Sequence, residues 1–138
     1  MTVDWSKGYP PDPLSARRIR AAIERVLAPY LAPDALADVL LAAGEAVANA
    51  IKHGGGSVEI RVEVTERSVR VCVRDSGPGF DPVKLEQARL PSPSDAESGR
   101  GLYIIRQTAD RAAVTVDDGT TVEIVRDRWH GSATDAPL

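Results

Sequence analysis

The sequence predicts an α+β fold: a two-layer sandwich whose mixed, mostly antiparallel sheet is covered on one face by helices. Two observations lead to this prediction. Segments whose apolar residues recur at helical spacing are interspersed with pairs of short segments in which apolar and polar residues alternate. Short turns join the paired segments, so each pair is expected to form an antiparallel hairpin, and hairpins separated by helices are typical of this fold class.

Length and composition are those of one globular domain. The chain has 138 residues, 43% of them hydrophobic and 27% charged, which suffices for a core without metal or disulfide cross-links. The net charge of −3 argues against a general nucleic-acid binder. The single cysteine, Cys72, excludes an intramolecular disulfide. No apolar run reaches membrane-spanning length and Met1–Gly8 lacks an apolar signal core, so we expect a cytoplasmic protein.

Two helices are predicted before the first hairpin. The first spans Leu14–Leu31, and its arginines are expected to form a solvated face. The second spans Asp34–His53, with Asp34 as its N-cap, because this residue follows Pro33 and carries a side-chain acceptor. A run of glycines ends the second helix. Its apolar stripe comprises Leu36, Leu40, Ala43, Val47 and Ile51.

Strict alternation predicts the strands. Two segments alternate, Ser57–Val64 and Val69–Arg74. In each, the valines lie on one face, together with the isoleucine of the first segment. A short turn at Thr65–Ser68 joins the two into a hairpin. Cys72 is expected on the face opposite the valines, and we assign it no chemistry. A last hairpin pairs Ala113–Val116 with Thr121–Val125 and turns at Asp117-Asp118-Gly119.

Less regular segments lie between and beyond these elements. Asp75–Ser98 is rich in glycine and proline, and a short helix around Pro82–Leu90 is expected to interrupt it. A third helix is predicted over Gly101–Arg111. The proline-rich N-terminus, residues 1–13, is expected to be flexible or to form a partial strand around Thr2–Lys7, and residues 128–138 to form a flexible tail.

The second helix carries a polar cluster near its end. Glu45, Asn49 and His53 are spaced four and four, which stacks a carboxylate, an amide and an imidazole on one helical face, with Lys52 beside them. The alternative interpretation is an ordinary solvated helix face.

Two further clusters contain glycine. Asp75, Gly77 and Gly79 follow a strand directly, where glycine allows close backbone approach to a ligand and the carboxylate could accept from an exocyclic amine. The alternative is a common strand-ending turn. Gly99-Arg100-Gly101-Leu102 opens a helix whose N-terminal amides could hold phosphate, although ordinary turns also produce this pattern.

The three clusters in this order resemble the GHKL ATP-binding superfamily, which has the Bergerat fold. The resemblance runs from about Leu36 to Val125. The small size, the glutamate four residues before the asparagine, and the run from Gly99 to Ile105 are similar to the anti-sigma-factor serine kinases. The resemblance implies an ATP-binding kinase domain over residues 14–127. Two departures are the short N-terminus before the first helix and the three glycines that follow His53.

The resemblance also implies roles at the phosphate end of the site. Asn49 would ligate Mg²⁺ through its side-chain oxygen, and Glu45 would be the general base that deprotonates a serine or threonine hydroxyl. Lys52 matches a phosphate-contacting lysine of histidine kinases, and His53 would line the phosphates or cap the helix. Backbone amides of the third cluster would contact the phosphates: Gly99, Arg100, Gly101 and Leu102.

At the adenine end, the resemblance implies that Asp75 accepts from the adenine amino group and that Gly77 and Gly79 shape the pocket. Thr121 would lie near adenine, with Thr120 as the alternative because the register is uncertain by one residue. Phe80–Ser98 would form a lid over ATP.

Three functions are compatible with these residues. The first is a serine/threonine kinase, dependent on ATP and Mg²⁺, that binds a sigma factor and phosphorylates an anti-anti-sigma antagonist of the STAS type. The second is an ATP-binding module that sequesters a partner with little or no kinase activity, against which Glu45 counts. The third is a plain α+β domain. Neither direct nucleic-acid nor membrane binding is expected, and a homodimer is expected from the family.

Overall fold

The computed structural model describes residues 3–53, 55–77 and 100–128. The predicted helix at Pro82–Leu90, the predicted lid at Phe80–Ser98 and, apart from Arg128, the predicted tail at residues 128–138 lie outside these residues. Arg128 is held in place rather than loose, because its N–H donates to the Arg67 carbonyl at 2.8 Å. In chain order the described elements are β1 (Val3–Tyr9), α1 (Pro13–Leu27), α2 (Pro33–His53), β2 (Val58–Val64), β3 (Ser68–Asp75), α3 (Arg100–Thr108), β4 (Arg111–Val116) and β5 (Thr120–Asp127).

The five strands form one sheet in the order β1-β2-β3-β5-β4. Each neighbouring pair is antiparallel. The three described helices pack against one face of this sheet, with α2 in contact with both α1 and α3. The predicted two-layer α+β sandwich is therefore confirmed, and every pairing among the described strands is antiparallel rather than mixed.

The core lies between the sheet and the described helices, with α2 as its largest helical contributor. Alternate residues of β2 and β3 are almost completely buried, as the strict alternation predicts. Leu40, Ala43 and Val47 of the predicted α2 stripe are buried, whereas Leu36 and Ile51 are half-buried at its ends. Small residues widen this buried face, because alanine allows close helix–sheet contact. The additional buried alanines of α2 are Ala35, Ala42, Ala46 and Ala50.

The N-terminal segment forms a full edge strand, β1, which extends to Tyr9, whereas the sequence predicted either a flexible segment or a partial strand around Thr2–Lys7. It pairs with β2 along its whole length, from Val3 opposite Val64 to Tyr9 opposite Val58. Trp5 packs against the core from this edge of the sheet. The prolines begin only after Tyr9, so the segment before them can donate ladder hydrogen bonds.

Both long helices begin one residue earlier than predicted, at Pro13 and Pro33, and α1 also ends earlier. α1 ends at Leu27 and not at Leu31, because Pro29 has no backbone N–H to continue the helical hydrogen bonds. α2 begins at Pro33, so the assignment of Asp34 as N-cap is wrong. Pro33 is favoured at the first helical position, and Asp34 lies in the first turn, where its charge interacts favourably with the helix dipole.

The third helix is shorter than predicted. α3 ends at Thr108, and Arg111, which the sequence assigned to this helix, is the first residue of β4. The Asp110 N–H donates to the Val125 carbonyl 2.9 Å away, and the Arg111 guanidinium lies 3.1 Å from Asp127. Tertiary pairing with β5 therefore outcompetes local helical preference at this point.

The face of the sheet opposite the helices carries charges of both signs. Arg61 of β2 is 2.8 Å from Asp4 of β1, and Arg70 of β3 is 3.5 Å from Glu123 of β5. The Arg61 guanidinium beside Asp4 holds the pKa of that carboxyl below its usual range. Because these pairs are exposed, each contributes little to stability. No helix within the described ranges is both long and apolar enough to cross a membrane.

The predicted β4–β5 turn is confirmed, and Gly119 is its most constrained residue. Asp118 has φ 52° and Gly119 has φ 124°. A methyl group on Gly119 would overlap the backbone oxygen of Asp75. We expect Gly119→Ala to lower the free energy of unfolding by about 2–4 kcal/mol, because it combines backbone strain with overpacking.

Urea denaturation measures this effect, and Gly44→Ala is the matched control. Gly44 lies inside α2 with no atom within 4 Å of an added methyl group. Replacing it should raise stability by about 1 kcal/mol, since alanine is the better helix former. A Gly119→Ala protein as stable as the parent would contradict the close approach to Asp75.

Candidate functional site

Glu45 and Asn49 lie together where α2 meets the start of α3. Both side chains are half-buried and one helical turn apart. A methyl group on Gly101 would lie 3.0 Å from Glu45 Oε2 and 3.5 Å from Asn49 Nδ2. The absence of a side chain at Gly101 therefore allows the backbone of α3 to come within contact distance of this carboxylate and this amide. The predicted polar cluster is thus adjacent to a helix N-terminus, where backbone N–H groups favour anions.

Lys52 and His53 are also on α2, but their side chains are exposed in its last turn. Cationic residues at a helix C-terminus interact favourably with the helix dipole. The structure brings Glu45 and Asn49 against α3, whereas Lys52 and His53 extend beyond that contact.

Asp75 ends β3 as a buried carboxylate with 9% exposure. Its Oδ1 accepts a hydrogen bond from the Gly77 N–H at 2.7 Å. The hydroxyl of Thr120, a residue that is only 2% exposed, donates to the Gly77 carbonyl at 3.5 Å. A buried carboxylate needs hydrogen-bond donors, and this turn supplies one from its own backbone. The Asp-Ser-Gly turn is therefore fixed on both sides of Gly77.

The β3–β5 register distinguishes Thr120 from Thr121. Thr120 pairs with Asp75, whereas Thr121 pairs with Arg74 and accepts a hydrogen bond from its guanidinium at 3.3 Å. Neighbouring residues of a strand point to opposite faces, so only one of the two can face the helices. Thr120, the alternative at the sequence level, is the threonine beside Asp75 and Gly77, and Thr121 lies on the opposite face.

The start of α3 supplies the remaining described residues of the site. The helix begins at Arg100, followed by Gly101 and Leu102. Leu102 is buried in the core with Ile105, so its side chain packs and only its backbone could contact a ligand. Gly79 and Gly99, both predicted site residues, lie outside the described residues.

Two glycines of the loop after α2 join the site, and sequence reasoning gave them no specific role. The Gly55 carbonyl accepts a hydrogen bond from the Ser76 N–H at 3.0 Å. Gly56 has φ 70°, and a methyl group on it would lie 3.2 Å from Ser76 Oγ. The signal for this contact was the glycine run itself, because consecutive glycines allow positive φ and close backbone approach. These contacts attach the end of α2 to the Asp75 turn.

Cys72 lies on the face opposite the buried valines, as predicted. Partial burial raises the pKa of its thiol, and Glu123 acts in the same direction. The thiol therefore stays protonated at neutral pH, which agrees with its lack of an assigned role.

Comparisons with known proteins give consistent results. Residues 9–126 match the model of the histidine kinase-like ATPase domain. The chain is 35% identical to the anti-sigma F factor of Anoxybacillus flavithermus, over 80% of this chain and 81% of that protein. It is 31% identical to the serine-protein kinase RsbW of Bacillus licheniformis, over 67% of this chain and 65% of that kinase.

Two solved structures share the fold. The RsbU and RsbW domains of a Mycobacterium tuberculosis protein align with a TM-score of 0.68 and 20% identity, covering 91% of this chain and 32% of that one. A mycobacterial sensor histidine kinase, MprB, aligns with a TM-score of 0.54 and 19% identity, covering 91% and 97%. At these identities the likeness concerns the fold alone.

Proposed function

Because the chain belongs to the histidine kinase-like ATPase domain family, in its branch of anti-sigma-factor serine kinases, we propose that it transfers phosphate from ATP to a partner protein. The acceptor is a serine or threonine of an anti-anti-sigma antagonist, and a sigma factor is the protein's second partner. The observation that carries this proposal is the contact of Glu45 and Asn49 with Gly101 at the start of α3. It places a carboxylate and an amide beside backbone donors that suit a phosphate chain.

The donor set at this position fits a magnesium–nucleotide complex. Mg²⁺ takes oxygen ligands, keeps several waters, and is usually held by one or two protein groups plus phosphate oxygens. Asn49 supplies a side-chain amide whose oxygen would be the protein ligand. The ion, when bound, would offset the negative charge of the phosphates. Lys52 and His53 are also proposed to contact the phosphates. Their side chains are exposed and lie about one helical turn beyond Asn49.

Glu45 supplies the acid–base chemistry in this proposal. The hydroxyl oxygen of the acceptor forms a bond to the γ-phosphorus while the bond from that phosphorus to the β,γ-bridging oxygen breaks, and ADP leaves. The hydroxyl proton passes to the Glu45 carboxylate. Phosphoryl transfer depends mainly on positioning and charge stabilisation, so one well-placed carboxylate is sufficient as the general base.

Asp75 supplies base recognition. One of its oxygens accepts from Gly77, and the carboxylate would also accept from the amino group of adenine. Thr120 replaces Thr121 in this part of the proposal, because Thr120 contacts Gly77. Gly79, the amide of Gly99 and the Phe80–Ser98 lid complete the proposed nucleotide site as expectations from the family.

Partner exchange follows from the charge that the reaction adds. Phosphate adds about two negative charges to the antagonist and can disrupt its docking surface. The unphosphorylated antagonist would then compete for this protein and release the sigma factor, and phosphorylation would reverse that release. We place the protein in the cytoplasm, because its proposed partners act on transcription there. A homodimer remains an expectation from the family.

Incubation with γ-labelled ATP and a candidate STAS-type antagonist tests the proposal. We expect magnesium-dependent label on a serine or threonine of the antagonist, abolished by EDTA. Calorimetric titration with ATP and Mg²⁺ should show binding. Binding without transfer to any antagonist from the same cell would instead favour an ATP-dependent sequestering module, and absence of binding would overturn both functions.

A further inference from the structure

Arg74 lies on the face of the sheet opposite the described helices, yet it contacts the turn that borders the Asp75 site. Its Nη2 donates to the Asp118 carbonyl at 2.9 Å, and its Nη1 donates to Thr121 Oγ1 at 3.3 Å. Arg74 and Thr121 are also partners in the β3–β5 register. The guanidinium therefore connects β3 to both the β4–β5 turn and the first residues of β5.

The turn that Arg74 holds is constrained. Asp118 has a positive φ of 52°, which non-glycine residues adopt at some cost. An added methyl group on Gly119 would lie 3.5 Å from Arg74 Nη2 on one side and would overlap the Asp75 backbone oxygen on the other. The Gly119 backbone is thus packed between the guanidinium and Asp75, so a change in the turn is transmitted to Asp75 directly.

A second route runs through the residue after the turn. Thr120 pairs with Asp75 across the strands and donates to the Gly77 carbonyl at 3.5 Å. The Gly77 N–H in turn donates to Asp75 Oδ1 at 2.7 Å. The orientation of the carboxylate depends on Gly77, the position of Gly77 depends on Thr120, and Thr120 immediately follows the turn that Arg74 holds.

We propose that Arg74 is a positioning residue for base selection: acting through Gly119 and Thr120, it fixes the Asp75 carboxylate that reads the amino group of adenine. The inference rests on the proposed function for what Asp75 recognises. Because Arg74 and Asp75 point to opposite faces of β3, Arg74 acts without contacting the nucleotide. Its loss should therefore weaken adenine preference without changing the chemistry at Glu45.

The test compares Arg74→Met with Arg70→Met. Arg70 is on the same strand and the same face, four residues away, and it pairs with Glu123 rather than with the turn. Methionine retains the apolar stem in both variants. In the nucleotide-free protein, we expect hydrogen exchange of the Gly77 amide to accelerate about fivefold in Arg74→Met. Arg70→Met should leave it unchanged, and Arg74→Lys should restore part of the protection.

Nucleotide titrations supply the second readout. We expect Arg74→Met to raise the Kd for ATP about fivefold. The Kd for ITP should rise much less, because ITP lacks the amino group that Asp75 is proposed to recognise. The kcat at saturating ATP should stay at the parent value. An unchanged Gly77 exchange rate, or equal effects in Arg70→Met, would overturn the positioning role. If the Gly77 exchange rates change as expected but the parent protein binds neither ATP nor ITP, the proposed function would be overturned, and the adenine role of Arg74 with it.

Discussion

Replacing Glu45 with glutamine is expected to lower the rate of phosphoryl transfer about a thousandfold while the Kd for ATP changes less than about threefold. The glutamine side chain has nearly the same size and keeps an oxygen that can contact Gly101, so the start of α3 should stay in place. It cannot take a proton at neutral pH, and loss of a general base costs about 10²–10⁴ in rate. Single-turnover transfer with labelled ATP, beside calorimetric ATP titration, separates the two effects.

Glu59→Gln is the matched control for this experiment. Glu59 is exposed on β2, on the sheet face that the described helices do not cover, so the same change of side chain there removes the same charge far from α3. Transfer by this variant should equal that of the parent protein. If Glu45→Gln transfers phosphate normally, Glu45 is not the base and its contact with Gly101 only packs α2 against α3.

The strands and the polar cluster could be predicted because their signals are local. Alternation in Val58–Val64 fixes which residues face the core, since a strand repeats every two residues. The four-residue spacing of Glu45 and Asn49 likewise fixes their common face on α2. Neither inference needs any knowledge of the rest of the chain.

The choice between Thr120 and Thr121 could not be made locally. It depends on which residue of β5 pairs with Asp75, and β3 and β5 are separated by a long segment of the chain. A shift of one residue in the register moves every side chain of a strand to the opposite face of the sheet. A local pattern that leaves the register uncertain by one residue therefore cannot say which threonine faces the helices. The end of α3 was misjudged for a similar reason, because Arg111 is recruited by pairing with β5.

The contact between Gly101 and Glu45 illustrates what a glycine pattern can and cannot indicate. Gly99-Arg100-Gly101 suggested an anion site at a helix start, and the structure confirms that α3 begins there. The pattern does not say which side chain occupies the space that a Cβ would fill. That depends on the packing of α2 against α3, which brings a carboxylate from a segment more than fifty residues earlier.

Replacing Asp75 with asparagine is expected to raise the Kd for ATP about a hundredfold with little loss of stability. Asparagine can keep an oxygen facing the Gly77 N–H, so the turn retains the hydrogen bond that it has now. Its NH₂ group would then meet the amino group of adenine, donor against donor. Losing a charge-assisted hydrogen bond and leaving a buried donor unpaired costs about 2–3 kcal/mol, which corresponds to this change in Kd.

The same substitution should reverse base preference, which distinguishes altered recognition from general damage. Hypoxanthine carries an oxygen where adenine carries its amino group, so the new NH₂ can donate to ITP, and ITP should bind Asp75→Asn at least as tightly as ATP does. Asp4→Asn, which removes an exposed carboxylate on β1, should leave both affinities unchanged. If Asp75→Asn lowered the affinities for ATP and ITP equally, the carboxylate would support the Gly77 turn without reading the base, and adenine selection would have to lie elsewhere in the site.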